Sequence, residues 1–247
     1  MPERKQVILY LIATNKYHVF VQPLLKSVDE YFLVDHDLTV ILFTDNIYRK
    51  FEFNRDIVYV GIPSYRFPAA TLFRFKIVTE HKELFQKSDA IYYLDIDMLI
   101  VAPVGDEVLP IGEGLVSTVH PGFYNGGWGS NNTHQKSLAY VPEEQRTSYY
   151  CGGFQAGSTE SYLMMAKELS ENIDKDMQTA KEIGYLDNGG ILSEYHDETH
   201  YNWYLKNRNT DGSWLILDSS YCYPESWNIP FEKKILALDK NHAEIRS

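Results

Sequence analysis

The chain of 247 residues carries 34 acidic and 23 basic side chains, which gives a formal net charge of −11 at pH 7. This acidic balance argues against nucleic acid or an anionic membrane as a partner, and an anionic substrate would need a local basic cluster or a metal. The length allows one large domain, and no linker indicates a second.

Neither the cysteines nor the start of the chain indicates secretion. Two cysteines, Cys151 and Cys222, are too few for a disulfide framework. The first apolar run, residues 7–13, is too short to span a bilayer and is not followed by a small-residue cleavage site. We therefore expect a soluble, cytoplasmic protein with no signal peptide, membrane anchor or transmembrane segment.

Apolar runs of strand length alternate with helical patterns through residues 1–100. The predicted strands cover residues 7–13, 38–43, 57–62 and 91–94, and the predicted helices cover residues 17–32 and 70–85. This alternation predicts an α/β fold with a parallel, doubly wound sheet. Ligands of such sheets bind at the carboxyl ends of the strands, where Thr14, Asp45 and Asp95 are expected to lie.

The most informative stretch is residues 91–101, IYYLDIDMLIV, in which Asp95 and Asp97 interrupt two apolar runs. If the chain stays extended there, its period of two places both carboxylates on the same side. Two anionic oxygens at a strand end suit a hard divalent cation that keeps positions open for phosphate oxygens. The alternative is a solvated turn, because Asp-x-Asp is a common tripeptide. Burial of the flanking residues favours the metal site, since unpaired carboxylates are costly there.

The second half of the chain is less regular. A strand over residues 115–119 leads into His120, and the Gly- and Asn-rich residues 125–134 predict a loop. The glycines of residues 149–154 indicate either positive φ angles or a close backbone approach. The remaining predicted elements are a helix over residues 159–183 with Ser158 as its N-cap, a turn at residues 187–190 and a short helix over residues 196–205.

Several polar residues admit both a structural and a functional interpretation. The acids of His196–His200, HDETH, either favour a helix start through its dipole or hold a carboxylate beside a reacting sugar carbon. The spacing of this segment is not that of a metalloprotease. His120 is more typical of a satisfied turn residue than of a catalytic group. Arg74 and Lys76, on an otherwise apolar helix, either extend to solvent or reach a phosphate.

The end of the chain carries basic residues in an acidic protein. By default Lys240, Asn241, His242 and Arg246 would form a frayed tail. The alternative is that the basic side chains close over a diphosphate, and the residue pattern does not choose between the two.

Seven motifs occur together, and their order resembles glycosyltransferase family six, which includes the histo-blood-group A and B transferases and the α-1,3-galactosyltransferases. They are FTD at residues 43–45, LDIDM at 94–98, HPGFY at 120–124, AYVP at 139–142, YYCGGF at 149–154, YHDETH at 195–200 and KNHAEIR at 240–246. The resemblance covers nearly the whole chain. It implies a single GT-A domain that uses UDP-GalNAc or UDP-galactose and retains the anomeric configuration. Residues 1–100 would be its nucleotide-binding half, residues 101–239 its acceptor-binding half and residues 240–247 a flexible tail.

The resemblance also implies roles for individual residues. Asp95 and Asp97 correspond to the DxD motif that holds manganese, with magnesium as an alternative, against the UDP diphosphate. Glu198 corresponds to the candidate nucleophile or cation-stabilising acid, which also meets the acceptor, and His120 and Tyr195 correspond to acceptor-binding positions. The positions expected to bind the donor, besides the two metal acids, are Thr14, Tyr17, Arg74, Cys151, Gly152, Gly153, Asp197, Lys240 and Arg246.

The implied reaction transfers GalNAc or galactose to the 3-hydroxyl of a β-galactoside, with or without fucose, on an oligosaccharide or a glycolipid. Two departures from the family concern the acceptor side. Tyr195 stands where tryptophan is usual, and residues 125–138 lack the FTYERR-like segment and contain GGWGSNNTHQ instead.

Two other classes of protein share some of these features. A phosphohydrolase of the haloacid dehalogenase type would carry its acids after the first strand, whereas Asp95 and Asp97 lie far along the chain. A catalytically inactive relative that binds carbohydrate or nucleotide sugar would keep the aromatic residues. It would have no reason to keep both metal acids together with Glu198.

Overall fold

The computed structural model describes residues 3–65, 67–208 and 213–245. Its first half follows the predicted alternation of strands and helices, and each predicted strand is present to within a residue or two. The elements are β1 (Gln6–Ala13), α1 (His18–Tyr31), β2 (Asp37–Thr44), β3 (Asp56–Gly61), α2 (Ala69–Leu72), α3 (Arg74–Glu80), β4 (Ala90–Leu94) and β5 (Met98–Ile100).

The second half adds five strands and three helices among the described residues. The elements are β6 (Leu115–Val119), β7 (Tyr150–Ser158), α4 (Thr159–Glu182), α5 (His196–Asn207), β8 (Leu215–Leu217), β9 (Tyr223–Pro224), β10 (Ile235–Ala237) and α6 (His242–Ile245). Ser158 caps α4 as predicted, because its hydroxyl accepts a hydrogen bond from the Ser161 N–H. The predicted loop at residues 125–134 contains no helix or strand longer than a single bridge.

A seven-stranded sheet with the order β3-β2-β1-β4-β7-β6-β8 forms the centre of the fold. Its neighbours pair in parallel except around β7, which runs antiparallel to both β4 and β6. The predicted α/β fold is therefore confirmed, and the mostly parallel sheet is consistent with a GT-A-like fold. The reversal of β7 brings its first residues to the carboxyl end of β4, where Phe154 pairs with Leu94.

Both faces of the sheet are buried, which explains the continuous apolar runs of its strands. On one face, Leu9 belongs to the same buried cluster as Leu24 of α1. On the other face, Tyr10 clusters with Phe75 of α3 and Tyr162 of α4, and the two tyrosine hydroxyls lie 2.8 Å apart.

A three-stranded sheet of β5, β10 and β9 carries the end of the chain back to the central strand. β10 pairs antiparallel with β5, so that Ala237 lies opposite Met98. The next residue continues this contact, because the Leu238 N–H donates to the Asp97 carbonyl at 3.0 Å. The tail therefore begins beside the Asp-x-Asp motif.

Two sequence-based predictions need correction, and one pair of alternatives is resolved. The predicted helix over residues 70–85 is divided at Phe73, whose ψ of 2° leaves the helical range, and it ends in a short 3-10 turn after His81. The apolar spacing fits both segments, so it could not reveal the break. Asp95 and Asp97 do not lie on an extended chain, because the Met98 N–H bonds to the Asp95 carbonyl in a tight turn. Finally, Gly152 and Gly153 have no positive φ, and the alternative prediction of close approach applies.

No helix in the described part of the chain combines the length and the apolar character that crossing a bilayer requires.

Candidate active site

Two adjoining cavities open at the carboxyl end of β1 and β4. The first, called here the β1 cavity, has a volume of about 250 Å³ and is lined by residues that include Thr14, Tyr17 and Lys240. The second, called the α5 cavity, also has a volume of about 250 Å³ and contains Glu198 in its wall. Both cavities share Phe67, Thr71 and Asp95, so they form one continuous cleft with Asp95 at the junction.

The two acids of the Asp-x-Asp turn have different surroundings. Asp95 accepts a hydrogen bond of 2.6 Å from the Tyr93 hydroxyl and has 39% of its side chain exposed to the cleft. Asp97 is largely buried, and its carboxylate contacts the Lys240 ammonium. Both acids line the β1 cavity, although a turn and not an extended strand brings them there. The turn therefore offers one accessible carboxylate and one that already has a cationic partner.

Arg74 connects the two ends of the cleft. Its guanidinium lies 4.4 Å from the centre of the Tyr93 ring and forms an ion pair of 2.7 Å with Asp197. It also donates to the Gly152 carbonyl at 2.7 Å and lies 3.5 Å from Asp95. The side chain is buried, and a guanidinium stays charged under these conditions. Arg74 thus balances two carboxylates and fixes the backbone of β7.

Glu198 lies in the first turn of α5 and points at the backbone of β7. The Gly152 N–H donates to its Oε2 at 2.6 Å. Burial raises the pKa of Glu198 to about 7, although the Gly152 N–H and the nearby Tyr149 hydroxyl oppose that shift. Burial likewise raises the pKa of Asp197 to about 6, against the effect of Arg74. A buried, hydrogen-bonded carboxyl poised near neutral pH is typical of a catalytic site.

The side chain of Asn202 holds α5 against β7. Its amide oxygen accepts from the Tyr150 N–H, and its amide nitrogen donates to the carbonyls of Tyr150 and Glu198, all within 2.9 Å. Asn202 is fully buried, so these bonds fix the first turn of the helix and with it the position of Glu198.

Gly152 and Gly153 of β7 bring the backbone close to the carboxyl groups of Glu198 and Asp95. A Cβ added at Gly152 would lie 3.2 Å from Glu198 Oε2, and one added at Gly153 would lie 3.2 Å from Asp95 Oδ2. Both glycines line the α5 cavity. Cys151 does not line either cavity, because its side chain is buried in the core beside Cys222. Its role in donor binding remains a prediction.

Most other predicted donor-side residues lie at the β1 cavity. Thr14 and Tyr17 line it, and the Lys240 ammonium lies 5.4 Å from the centre of the Tyr17 ring. Asp45 lies behind this edge, where it accepts from the Asn15 N–H. Arg246 falls outside the described residues.

The two predicted acceptor residues are placed differently. Tyr195 lines the α5 cavity and is 53% exposed. His120 lines neither cavity, but it packs against the ring of Tyr149, which lies beside Glu198. The His120 Nδ1 accepts from the Gly122 N–H, and burial lowers the pKa of this imidazole to about 4. Lys76, in contrast, pairs with Asp174 on the surface of α4 and does not line the cleft.

Tyr93, Tyr149 and Asn202 are site residues that the sequence interpretation missed. Tyr93 lies two positions before Asp95, and Asn202 lies four positions after Glu198 on the same helix, so their spacing offered a signal. Tyr149 offered none, because only the fold brings it to Glu198.

Comparison with known proteins identifies the family. The model of Glycosyltransferase family 6 matches residues 3–247. The chain belongs to glycosyltransferase family 6. This family 6 member is 27% identical to the rat histo-blood group ABO system transferase 1, with 97% of this chain and 68% of the relative covered. It is 23% identical to the human globoside alpha-1,3-N-acetylgalactosaminyltransferase 1, with 96% and 67% covered.

Metal-dependent transfer is known in glycosyltransferase family 6, which raises the question of whether the Asp95–Asp97 turn suits a metal. Among residues 3–65, 67–208 and 213–245, no group of three or more His, Cys, Asp or Glu side chains converges as a metal site would require. Magnesium and similar hard cations nevertheless bind through one or two carboxylates when substrate phosphates complete the shell. Asp95 offers an accessible carboxylate for that arrangement. Asp97 already binds one cationic group, the Lys240 ammonium. The residues present therefore suit a cation that arrives with a diphosphate.

Proposed function

We propose that this glycosyltransferase moves GalNAc, or galactose, from a UDP-sugar to the 3-hydroxyl of a β-galactoside and retains the anomeric configuration. The observation that carries this proposal is the continuous cleft, which joins the Asp95–Asp97 turn to the Glu198 carboxyl through the buried Arg74 guanidinium. Transfer needs one site for the diphosphate leaving group and one for the sugar ring, and the two ends of the cleft would supply one each.

The nucleotide would occupy the β1 cavity, with Thr14 and Tyr17 against the uridine. Asp95 and Asp97 would hold a manganese or magnesium ion against the diphosphate, and this ion would supply Lewis-acid stabilisation of the departing phosphate. Lys240 is close enough to Asp97 to shift from this carboxylate to the diphosphate, which would add a second positive charge to the leaving group. An acidic protein needs such local positive charge to bind an anionic donor.

The sugar would lie in the α5 cavity, beside Asp197 and Glu198. During transfer, the bond between the anomeric carbon and the UDP oxygen breaks, and UDP keeps the bonding electrons. The acceptor 3-oxygen forms the new bond, and its proton passes to a phosphate oxygen of the departing UDP. Retention follows if Glu198 first attacks the anomeric carbon and is then displaced, or if it stabilises the cationic carbon while the acceptor approaches from the side of the leaving group. The Gly152 N–H fixes the carboxylate for either role.

The choice of donor sugar would depend on Gly153. The 2-acetamido group of GalNAc needs space that a larger side chain at this position would fill, and the glycine lies against Asp95 at the junction of the two cavities. We therefore expect UDP-GalNAc to be preferred to UDP-galactose. Cys151, whose side chain is in the core, would influence this choice through the position of β7 alone.

The test is a screen of UDP-sugars against an array of galactoside acceptors, with manganese, with magnesium and with EDTA. We expect transfer from UDP-GalNAc or UDP-galactose, loss of at least about a hundredfold of the rate in EDTA, and recovery with manganese. Asp97→Asn should cause a comparable loss. Full activity in EDTA would remove the metal from the proposal.

The screen also addresses the alternative of an inactive sugar-binding relative. Such a protein would bind a UDP-sugar without releasing UDP from it. The geometry around Glu198 favours an enzyme, because a binding protein gains nothing from a buried carboxyl aligned by a backbone N–H.

A further inference from the structure

Trp128 is an exposed aromatic side chain on an otherwise anchored loop. The loop, residues 125–134, is called here the Trp128 loop. Asn132 is fully buried and Asn131 is nearly so, whereas 61% of Trp128 is exposed. Leaving an indole in water forgoes the stabilisation that its burial would give. The fold therefore leaves the indole face available to a ligand.

Glycines shape the backbone on both sides of the indole. Gly126, Gly127 and Gly129 have φ angles of 91°, 123° and 67°, which side-chain-bearing residues rarely adopt. The Asn131 side-chain amide donates to the Trp128 carbonyl and closes this turn. The backbone is thus held in a conformation that presents Trp128 outward.

The Trp128 loop is attached to both walls of the Glu198 site. At its first half, a side chain at Gly129 would overlap the Tyr149 ring, so this backbone lies directly on Tyr149, which is next to Glu198. At its second half, the Thr133 hydroxyl donates to the Glu194 carboxylate at 2.5 Å, and Glu194 lines the α5 cavity. The loop therefore contacts one residue beside the candidate catalytic acid and one residue in the wall of the α5 cavity.

The occupant that fits an exposed indole here is the acceptor sugar. The axial 4-hydroxyl of a β-galactoside leaves several C–H groups on the opposite face of the ring, and an aromatic face buries these without losing hydrogen bonds. The nucleotide is not the better candidate, because the residues suited to it line the β1 cavity on the far side of Asp95.

We propose that Trp128 binds the acceptor, with its indole face stacked on the apolar face of the galactose unit that receives the new sugar. This inference rests on the proposed function and names a residue on which acceptor binding depends. The segment that departs most from the family pattern would thus supply the acceptor site of this chain.

The test compares Trp128→Ala, Trp128→Phe and a control, Tyr48→Ala, which removes an aromatic ring that is 89% exposed on the segment between β2 and β3. Four quantities are measured: the melting temperature, the rate of UDP-sugar hydrolysis without acceptor, the acceptor KM and kcat. We expect Trp128→Ala to raise the acceptor KM about tenfold, with hydrolysis within about twofold of wild type. Trp128→Phe should recover most of the affinity. An unchanged acceptor KM, or a parallel loss of hydrolysis, would overturn the proposal.

Failure of the proposed function would be seen separately, as a wild-type protein that transfers no sugar from any UDP-sugar to any galactoside. In that case, calorimetric titration with methyl β-galactoside and lactose still decides the role of Trp128. Binding by wild type that Trp128→Ala weakens would uphold a galactoside site. A wild-type protein that binds neither sugar, or a variant that binds as well as wild type, would refute it.

Discussion

Burial raises the pKa of Glu198 to about 7, and the Gly152 N–H holds one oxygen of its carboxyl group in place. The Arg74 guanidinium forms an ion pair with Asp197 and donates to the Gly152 carbonyl. The N–H of the same glycine donates to Glu198. The N–H of Gly152 is thus tied to a candidate catalytic acid and its carbonyl to an arginine. This arrangement makes Arg74 a positioning residue in the free protein, whatever contact it makes with the donor.

Glu198→Gln removes the charge and keeps the shape of the side chain. The Gln oxygen can still accept from Gly152, so we expect normal folding and UDP binding, with turnover reduced by at least about a hundredfold. The control is Glu171→Gln on the exposed side of α4, which should behave like wild type. Single-turnover rates and UDP titrations provide the comparison, and near-normal turnover would return Glu198 to the role of a helix-start acid.

Gly153→Ala tests the donor choice. The added methyl lies close to Asp95 and Met98 and takes space from the acetamido group, so the ratio of kcat/KM values should shift from UDP-GalNAc toward UDP-galactose by about ten- to a hundredfold. Gly152→Ala is the matched variant, because its methyl meets Glu198 and should slow both donors without changing their ratio. A wild-type preference for UDP-galactose would contradict the prediction at the outset.

Among the elements, β7 and the segment after β10 do most to assemble the cleft. β7 runs against its neighbours, and this reversal places Gly152 and Gly153 beside the end of β4. β10 pairs with β5 and brings Leu238 and then Lys240 onto Asp97. The tail continues over the β1 cavity, where Ile245 lines the wall and the Lys16 ammonium bonds to the Glu244 carbonyl at 2.8 Å.

Removal of residues 240–247 should therefore raise the donor KM and lower turnover, because closure over the diphosphate would be lost.

Lys240→Met removes the positive charge of this side chain and leaves the length of the tail unchanged. This variant should weaken UDP binding in the presence of manganese, yet bind manganese more tightly without nucleotide, since Asp97 loses its competing ammonium. Manganese binding followed by electron paramagnetic resonance, with the exposed Lys175→Met as control, gives the result. Unchanged UDP and manganese affinities in both variants would mean that the tail has no part in the site.

For the molecule as a whole, the buried acids link stability to pH. The pKa of Glu198 is about 7 in the folded protein against 4.5 for a free side chain, so the folded state binds more protons between these values. Its contribution to the free energy of unfolding is fully present below about pH 4.5 and is lost as the pH rises through 7. Over that interval the loss amounts to at most about 3 kcal/mol.

We therefore expect wild type to lose stability relative to Glu198→Gln between pH 5 and pH 8, as measured by urea unfolding at each pH. Asp197 acts in the same direction in both proteins, so most of its own contribution cancels in the difference between them. Parallel stability curves for the two proteins would show that Glu198 is ionised in the folded state well below pH 7.

The alternating order of strands and helices could be predicted from the chain alone because the strands of β1, β2 and β4 are buried on both faces and read as continuous apolar runs. The Asp-x-Asp motif and the HDETH segment could be found because each is a local pattern. Their expected position at one edge of a parallel sheet also followed from a general property of such sheets.

The rest depended on contacts between segments far apart in the chain. Neither the reversal of β7 nor the break at Phe73 leaves a mark on local apolar spacing, which records burial but not the identity of the covering element. For the same reason, nothing near Cys151 indicated that its side chain faces Cys222, and nothing near Lys240 indicated that it meets Asp97. The partner of each side chain is set by how distant strands pair, and that pairing is a property of the folded molecule.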